Sequence, residues 1–244
     1  FTSYMENIGS TENKGMELKL NAHLLYDVEN DRYLSTSFSI AKNTNKLKKI
    51  SNALRSYNDE VDNEILDGNT NRPQTRFIEG SSMNAIWAVR FLTKDGETTT
   101  EWKAEDQVVC GDAMPECSGT FGINMDYRGI FLNMSFYYQF GGQTYNQTLV
   151  DRVENANVGL NVDKRIYNAV WKKPGDRVDF SYNPYRLTKP SSRFVQDLNE
   201  LRLSSLNVGY DFRHCAFLKK SRLQQLKASF YMDDVFRAST VKTE

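Results

Sequence analysis

SGTFGINMDYRGIFLNMSFYYQF, residues 118–140, carries two back-to-back runs of alternating apolar and polar residues. Phe121, Ile123, Met125 and Tyr127 share one parity, with Gly122, Asn124 and Asp126 on the other. After Arg128 and Gly129 the pattern restarts: Ile130, Leu132, Met134, Phe136, Tyr138 and Phe140 against Asn133, Ser135 and Gln139. A period of two marks β-strands, because successive side chains leave opposite sides of the pleat. Two such runs joined at Tyr-Arg-Gly predict an antiparallel hairpin with a tight turn. Each run is about ten residues, the length a tilted strand needs to cross the hydrocarbon core of a bilayer. The alternation alone leaves open whether the apolar face meets a protein core or lipid.

The same pattern recurs outward from the hairpin. Met16, Leu18, Leu20, Ala22, Leu24 and Tyr26 oppose Glu17, Lys19, Asn21 and His23. Val28 to Asp31 supplies turn residues, and Leu34, Thr36, Phe38 and Ile40 then oppose Ser35, Ser37 and Ser39. Further on, Leu206, Val208, Tyr210 and Phe212 alternate with Asn207, Gly209 and Asp211; Leu201 and Leu203 sit on the other parity, which predicts a bulge near Ser204 and Ser205. Leu226, Ala228, Phe230 and Met232 alternate with Lys227, Ser229 and Tyr231. Strands are therefore expected near 16–27, 32–42, 118–127, 130–140, 201–212 and 225–236. Small polar residues on the second face suit a wet interior better than a dry core.

Between the strands, residues 43–117 and 141–198 show no sustained period. Within the first, Thr93 to Glu97 reads as a local turn and Glu101 to Lys103 as a returning strand; within the second, a helical turn is expected around Asp163 to Lys172. Connections thus alternate between short turns and long loops. That is the layout of an outer-membrane barrel, with short periplasmic turns and long extracellular loops.

Composition narrows the classes. The 244 residues carry zero net charge, which argues against nucleic-acid binding. Mean hydropathy is -0.61, and no run approaches a membrane helix of roughly 18 apolar residues; barrel strands give no such signal, since they alternate. Thirteen Tyr and fourteen Phe are many for a soluble protein and fit interfacial girdles. Of the three cysteines, Cys110 and Cys117 could close a small loop only in an oxidising compartment. His23 and His214 have no metal-like companions, and the acids between Asp59 and Asp67 lack calcium-loop spacing. Asp233 and Asp234, as neighbours on a strand, are expected to face opposite sides. No nucleophile elbow, phosphate loop or zinc motif is present. Neither an enzyme, a cofactor nor a metal site is expected.

Four segments, in order, resemble one family. Tyr4 to Gly9 with Glu12 to Leu18 (YMENIG and ENKGMEL), Gly119 to Asn146, Ser192 to Asp197 with Leu201 to Tyr210 (SRFVQD and LRLSSLNVGY), and Phe230 to Phe236 (FYMDDVF) resemble the C-terminal part of SusC/RagA-type TonB-dependent outer-membrane transporters of Bacteroidetes. The resemblance spans nearly the whole chain, 1–244. It implies an all-β fold: an antiparallel transmembrane β-barrel, of which this chain forms the C-terminal strands, in a barrel of roughly 22 strands with a plugged lumen and long extracellular loops.

It further implies import of a nutrient, an oligosaccharide first and an oligopeptide second, under the lid of a SusD-like lipoprotein. TonB would act through an N-terminal part outside this chain, the wall would meet outer-membrane lipid, and the transporter–lipoprotein pairs would form a dimer. On this reading Trp87, Trp102, Tyr145 and Trp171 are candidate substrate contacts, since a ring can stack on a sugar face or pack on a peptide. Asn133, Tyr137 and Gln139 face the lumen, and Ile130, Leu132, Met134, Phe136 and Tyr138 face lipid. Two other classes stay open: a SusC-like barrel serving as a structural subunit of a larger outer-membrane complex, and a soluble β-rich binding module.

Overall fold

The computed structural model describes residues 9–67, 70–90, 93–94, 97–98, 102–181, 187–220 and 223–241. Alternation and a Val-Glu-Asn-Asp turn build the first hairpin, β1 (Gly9–Asp27) and β2 (Arg32–Ile50). Helix α1 (Asn52–Leu66) follows, then the short strands β3 (Ala85–Val89), β4 (Thr93–Lys94), β5 (Glu97–Thr98) and β6 (Gln107–Asp112). The central hairpin is β7 (Cys117–Tyr127) and β8 (Ile130–Tyr145), turning through Arg128 and Gly129, both at positive φ. A helical passage begins with α2 (Gln147–Leu149), and α3 (Arg165–Asn168), β9 (Val170–Trp171) and β10 (Phe180–Ser181) lead to β11 (Val195–Asp211). Helix α4 (Ala216–Lys220) connects to β12 (Lys227–Ser239).

The six long strands form one antiparallel sheet in the order β1-β2-β7-β8-β11-β12. Register sorts side chains into transverse rows. One row runs Leu25, Leu34, Met125, Leu132, Val208, Phe230; the next Ala22, Thr36, Ile123, Met134, Leu206, Met232; the next Leu20, Phe38, Phe121, Phe136, Leu203, Phe236. The intervening rows are polar, for example His23, Ser35, Asn124, Asn133, Asn207, Tyr231. One face is therefore apolar across all six strands and the other polar. The buried cluster of Leu149, Val150, Val153, Val170 and Phe194 lies in the connections, away from the apolar face. On that face Leu18, Leu20, Phe230 and Phe236 are all more than 40% exposed.

Bulges keep the rows aligned. The β11 register shifts between Leu203 and Ser205 against both neighbours, at the expected place, so Leu203 and Leu206 share the apolar face despite opposite parity. A second shift, between His23 and Leu25, was not anticipated. It brings Leu25 opposite Leu34 and carries Tyr26 to the polar side, where Tyr26, Tyr33 and His23 form a ring cluster with centroids 5.7–6.3 Å apart.

On β12 the shift at Leu203 and Ser205 falls beside Asp233 and Asp234, since Leu203 pairs with Phe236 and Ser205 with Asp233. Asp234 takes a positive φ of 47°; Asp233 accepts from the Tyr231 hydroxyl at 2.6 Å, and Asp234 lies 3.7 Å from Arg202. Both partners belong to the polar rows, so strand alternation is broken there and the two carboxylates do not take opposite faces.

Strands run further than periodicity alone indicates: β2 to Ile50, β8 to Tyr145, and β11 from Val195. The region 43–117 holds a capped helix, α1, whose Ser51 side chain accepts from the Leu54 amide and which buries Asn58, Val61 and Ile65. Glu101 lies outside the described residues, and Trp102 and Lys103 are not strand; β3 pairs instead with β6. β4 pairs with β5 around the expected turn, whose two central residues lie outside the described set, as do Tyr4 to Ile8 of the first resembling segment. The helical turn is found in α3. Cys110 and Cys117 are free, and the Cys110 thiol points at the Ala88 carbonyl, 3.3 Å away.

The short connections gather at one end: the Arg128 amide donates to the Asp31 carbonyl at 2.9 Å, Arg213 meets Asp126 at 3.1 Å, and His214 meets Asp31 at 2.9 Å. At the other end the long connections pack on one another. The Val89 amide donates to Pro190 at 3.2 Å, Lys189 reaches the Leu66 carbonyl at 3.2 Å, and Asn71 donates to Asp151 at 2.8 Å.

Candidate ligand-contact site in the long connections

Two of the four candidate contact residues come together. Trp87, held on β3, and Tyr145, the last residue of β8, line a cleft of about 460 Å³ with Arg72, Gln74, Thr144 and Gln147. β3 brings Trp87 here because Ala85 to Val89 pairs with β6 and buries four successive side chains. The Arg76 guanidinium sits 5.7 Å from the Trp87 ring and is ion-paired with Asp62. Tyr145 packs edge-on against Phe194 at 5.6 Å, and burial pushes its hydroxyl pKa above the usual range. Rings beside carboxamides and a guanidinium can cover an apolar face while hydrogen-bonding its polar rim.

Gln147 was not among the expected residues. Its Nε2 donates to Asn71 and to Asp151, each at 2.9 Å, while its Oε1 is buried with no hydrogen-bond partner among the described residues; the same is true of Trp87 Nε1. Sequence carries no period at 70–75 or 146–151 that would bring these side chains together.

The other two candidates lie elsewhere. Trp102 donates Nε1–H to the Pro190 carbonyl at 3.0 Å, and Lys189 Nζ lies 5.0 Å from its ring. Its indole thus joins the two long connections. Trp171 is half-exposed and borders a separate cleft with Leu149, Phe180, Arg193 and Gln196.

Beneath this cleft Glu154 is 1% exposed and accepts from the Ser181 amide at 3.1 Å, Thr188 Oγ1 at 2.9 Å and the Arg193 guanidinium. Asp163 accepts from the Arg165 amide and Nε, both at 2.8 Å, and this partner holds its carboxyl below the ordinary range.

Asn133, Tyr137 and Gln139 share the polar face. The Tyr137 hydroxyl donates to Gln139 Oε1 at 2.9 Å, and Arg202 stacks 5.4 Å from the Tyr137 ring. Glu200, nearly buried, receives Arg237 at 2.7 Å. Ile130, Leu132, Met134, Phe136 and Tyr138 take the opposite face. Among the described residues no cluster of three or more His, Cys, Asp or Glu could hold a metal ion; the acids of 59–67 lie on or just after α1, where Asp62 is engaged by Arg76 and Gln107.

No protein-family model matches the chain. It is 24% identical to a TonB-dependent receptor of Formosa agariphila over 93% of its own length and 24% of the receptor's. A second receptor of that organism is 22% identical over 97% and 27%. Two structures of the RagAB system, one described as a peptide importer in its closed-closed state and one as a peptide transporter, superpose with TM-scores of 0.72 and 0.71 at 15% and 17% identity, over 97% and 99% of this chain and 27% of each counterpart. The chain spans about a quarter of the length of these relatives. The chain is thus similar in sequence, over nearly its whole length, to part of the TonB-dependent receptors, and its antiparallel sheet with one apolar and one polar face shares the fold of the matching quarter of the RagAB structures.

Proposed function

We propose that this chain forms the C-terminal strands of the barrel domain of a nutrient importer, contributing six strands of roughly 22 and two of its extracellular connections. The observation that carries the reading is the apolar face continuous across six strands, with the buried cluster placed in the connections instead of upon it. In water such a face would be an aggregation surface; in a bilayer it needs no cover. From Ile130 to Phe140, at about 3.4 Å per residue and about 45° of tilt, the band is about 24 Å tall, close to the roughly 25 Å of an outer-membrane barrel. Edge strands β1 and β12 then pair with further barrel strands outside this chain. The soluble-module alternative is set aside on the same grounds and by the likeness to TonB-dependent receptors.

The polar face, with Asn133, Tyr137 and Gln139, lines the lumen. Trp87 and Tyr145 contact the imported molecule at the outer mouth, with Trp171 at a second position; Trp102 holds the long connections together. An oligosaccharide fits the pairing of rings with Gln74 and Gln147, while the likeness to a peptide importer favours an oligopeptide as the second reading. A SusD-like lipoprotein closes over the mouth, TonB acts through the part of the protein outside this chain, and the pairs dimerise.

The test is growth of the source bacterium on defined oligosaccharides or oligopeptides after deletion of the full gene. Loss of growth on one oligomer, with growth on its monomer intact, is expected. Growth unchanged on every oligomer, together with loss of a larger outer-membrane assembly, would favour the structural-subunit alternative.

A further inference from the structure

Above the apolar band, the outward face of the first hairpin changes chemistry. Along β2 the outward positions read Leu34, Thr36, Phe38 and Ile40, and then Lys42, Thr44, Lys46 and Lys48. Across the hairpin, Met16 is the partner of Lys42, Lys14 of Thr44 and Glu12 of Lys46. Pairing between β2 and β7 stops at Ala41 with Ser118, so this upper part is a two-stranded ribbon.

Its inner side is held. Leu47 is buried and its amide donates to Ser81 at 2.9 Å, the Gly80 amide donates to the Leu47 carbonyl at 2.7 Å, and Asn45 accepts from Ser82 and the Met83 amide. The ribbon is therefore fixed by its inner side while the outer side presents its lysines to the surroundings. Lys14 and Lys48 share Glu12, and among the described residues Lys42 and Lys46 have no ion-pair partner. The face carries four lysines against one carboxylate.

We propose that this ribbon binds the phosphorylated headgroups of the outer-leaflet lipid. The inference rests on the outward assignment of the apolar face proposed above. Ile40 stands at the top of the hydrocarbon band, so Lys42 lies two residues beyond it, roughly 5 Å higher at a tilt of about 45°. Lys46 and Lys48 reach further, over roughly 14–19 Å on the same reckoning. That is the depth of a phosphorylated glycolipid headgroup and its inner sugars, and long lysine stems let the ammonium groups move along the membrane normal to meet it. A continuous outward surface from apolar to basic matches a lipid with acyl chains below and phosphate above.

The test uses the full-length transporter purified in detergent and titrated with bisphosphorylated lipid A, the same lipid dephosphorylated, and inorganic phosphate, with binding counted by native mass spectrometry. Phosphorylated lipid is expected to bind and inorganic phosphate not to. The variant Lys42→Ser/Lys46→Ser/Lys48→Ser should lose on the order of 100-fold in affinity, about fivefold per lysine, while Lys42→Arg/Lys46→Arg/Lys48→Arg should retain it. Equal binding by the serine variant, or equal binding of the dephosphorylated lipid, overturns the proposal. Normal barrel assembly by Met134→Arg would instead remove the outward assignment beneath it, so the two failures are told apart.

Discussion

Met134 stands directly opposite Leu206 on β11, and its other flank faces Ile123 on β7. One residue along, Ser135 is paired with Ser205 and Gly122. A single step along the strand therefore crosses from an apolar row to a polar one, in three strands at once. This relationship underlies the assignment of one face to lipid and the other to the lumen.

Gly119 is a packing requirement on the apolar face. A Cβ there would lie 1.9 Å from the Ser39 carbonyl oxygen and 2.7 Å from the Tyr138 hydroxyl. Tyr138 crosses this bare position to donate to Ser39 O at 2.8 Å and stacks on Phe38 at 5.9 Å. Gly119→Ala should destabilise the barrel by about 1–3 kcal/mol, the usual cost of overpacking. Thermal unfolding of the full-length protein in detergent checks this; an unchanged Tm contradicts it.

Glu154 organises the packed connections. Removing its carboxylate leaves the Ser181 amide and Thr188 hydroxyl without their acceptor and the Arg193 guanidinium without this partner. Glu154→Ala should loosen these connections by about 3–5 kcal/mol, read as faster amide exchange at 147–154 and 180–181, while strands β7 and β8 keep their protection. Unchanged exchange would show that the carboxylate is dispensable.

Asp163 gives a pH dependence with a defined sign. Hydrogen bonds from Arg165 lower its folded pKa below the ordinary aspartate value near 3.8. Its contribution is complete above that unfolded value and disappears as pH falls through the lower folded one. Protection of the amides at 163–168, measured relative to their intrinsic exchange at each pH, should therefore fall below about pH 4 in the native protein, and Asp163→Asn should show the lower protection already at pH 7. A variant with native exchange at pH 7 would contradict this.

Much of the sheet was legible because alternation is enforced by the pleat, and even the bulge at Ser204 announced itself when Leu203 and Leu206 disagreed in parity. The bulge beside Leu24 did not, since Tyr26 can serve either face and kept the apparent pattern intact. Helix α1 was hidden because its buried side is narrow: Asn58, Val61 and Ile65 are spaced for a helix, yet one of them is polar and the exposed positions are charged. Of the four aromatic candidates, Trp87 and Tyr145 meet only through pairings distant in sequence, β3 with β6 and β8 with β11. Nothing in local composition distinguishes them from Trp102, which is spent on Pro190. Gln147 joins the cleft through Asn71, and no periodicity encodes that contact.

The most direct measurement compares Met134→Arg with Ser135→Arg in the full-length protein expressed in its own outer membrane, scored by heat-modifiable electrophoretic migration. An arginine on the lipid face at mid-membrane costs about 2–4 kcal/mol, whereas a lumen position tolerates it. The account predicts that Met134→Arg loses most of its folded, heat-modifiable band while Ser135→Arg keeps it. Equal assembly of both variants, or selective failure of Ser135→Arg, would contradict the assignment of the apolar face to lipid.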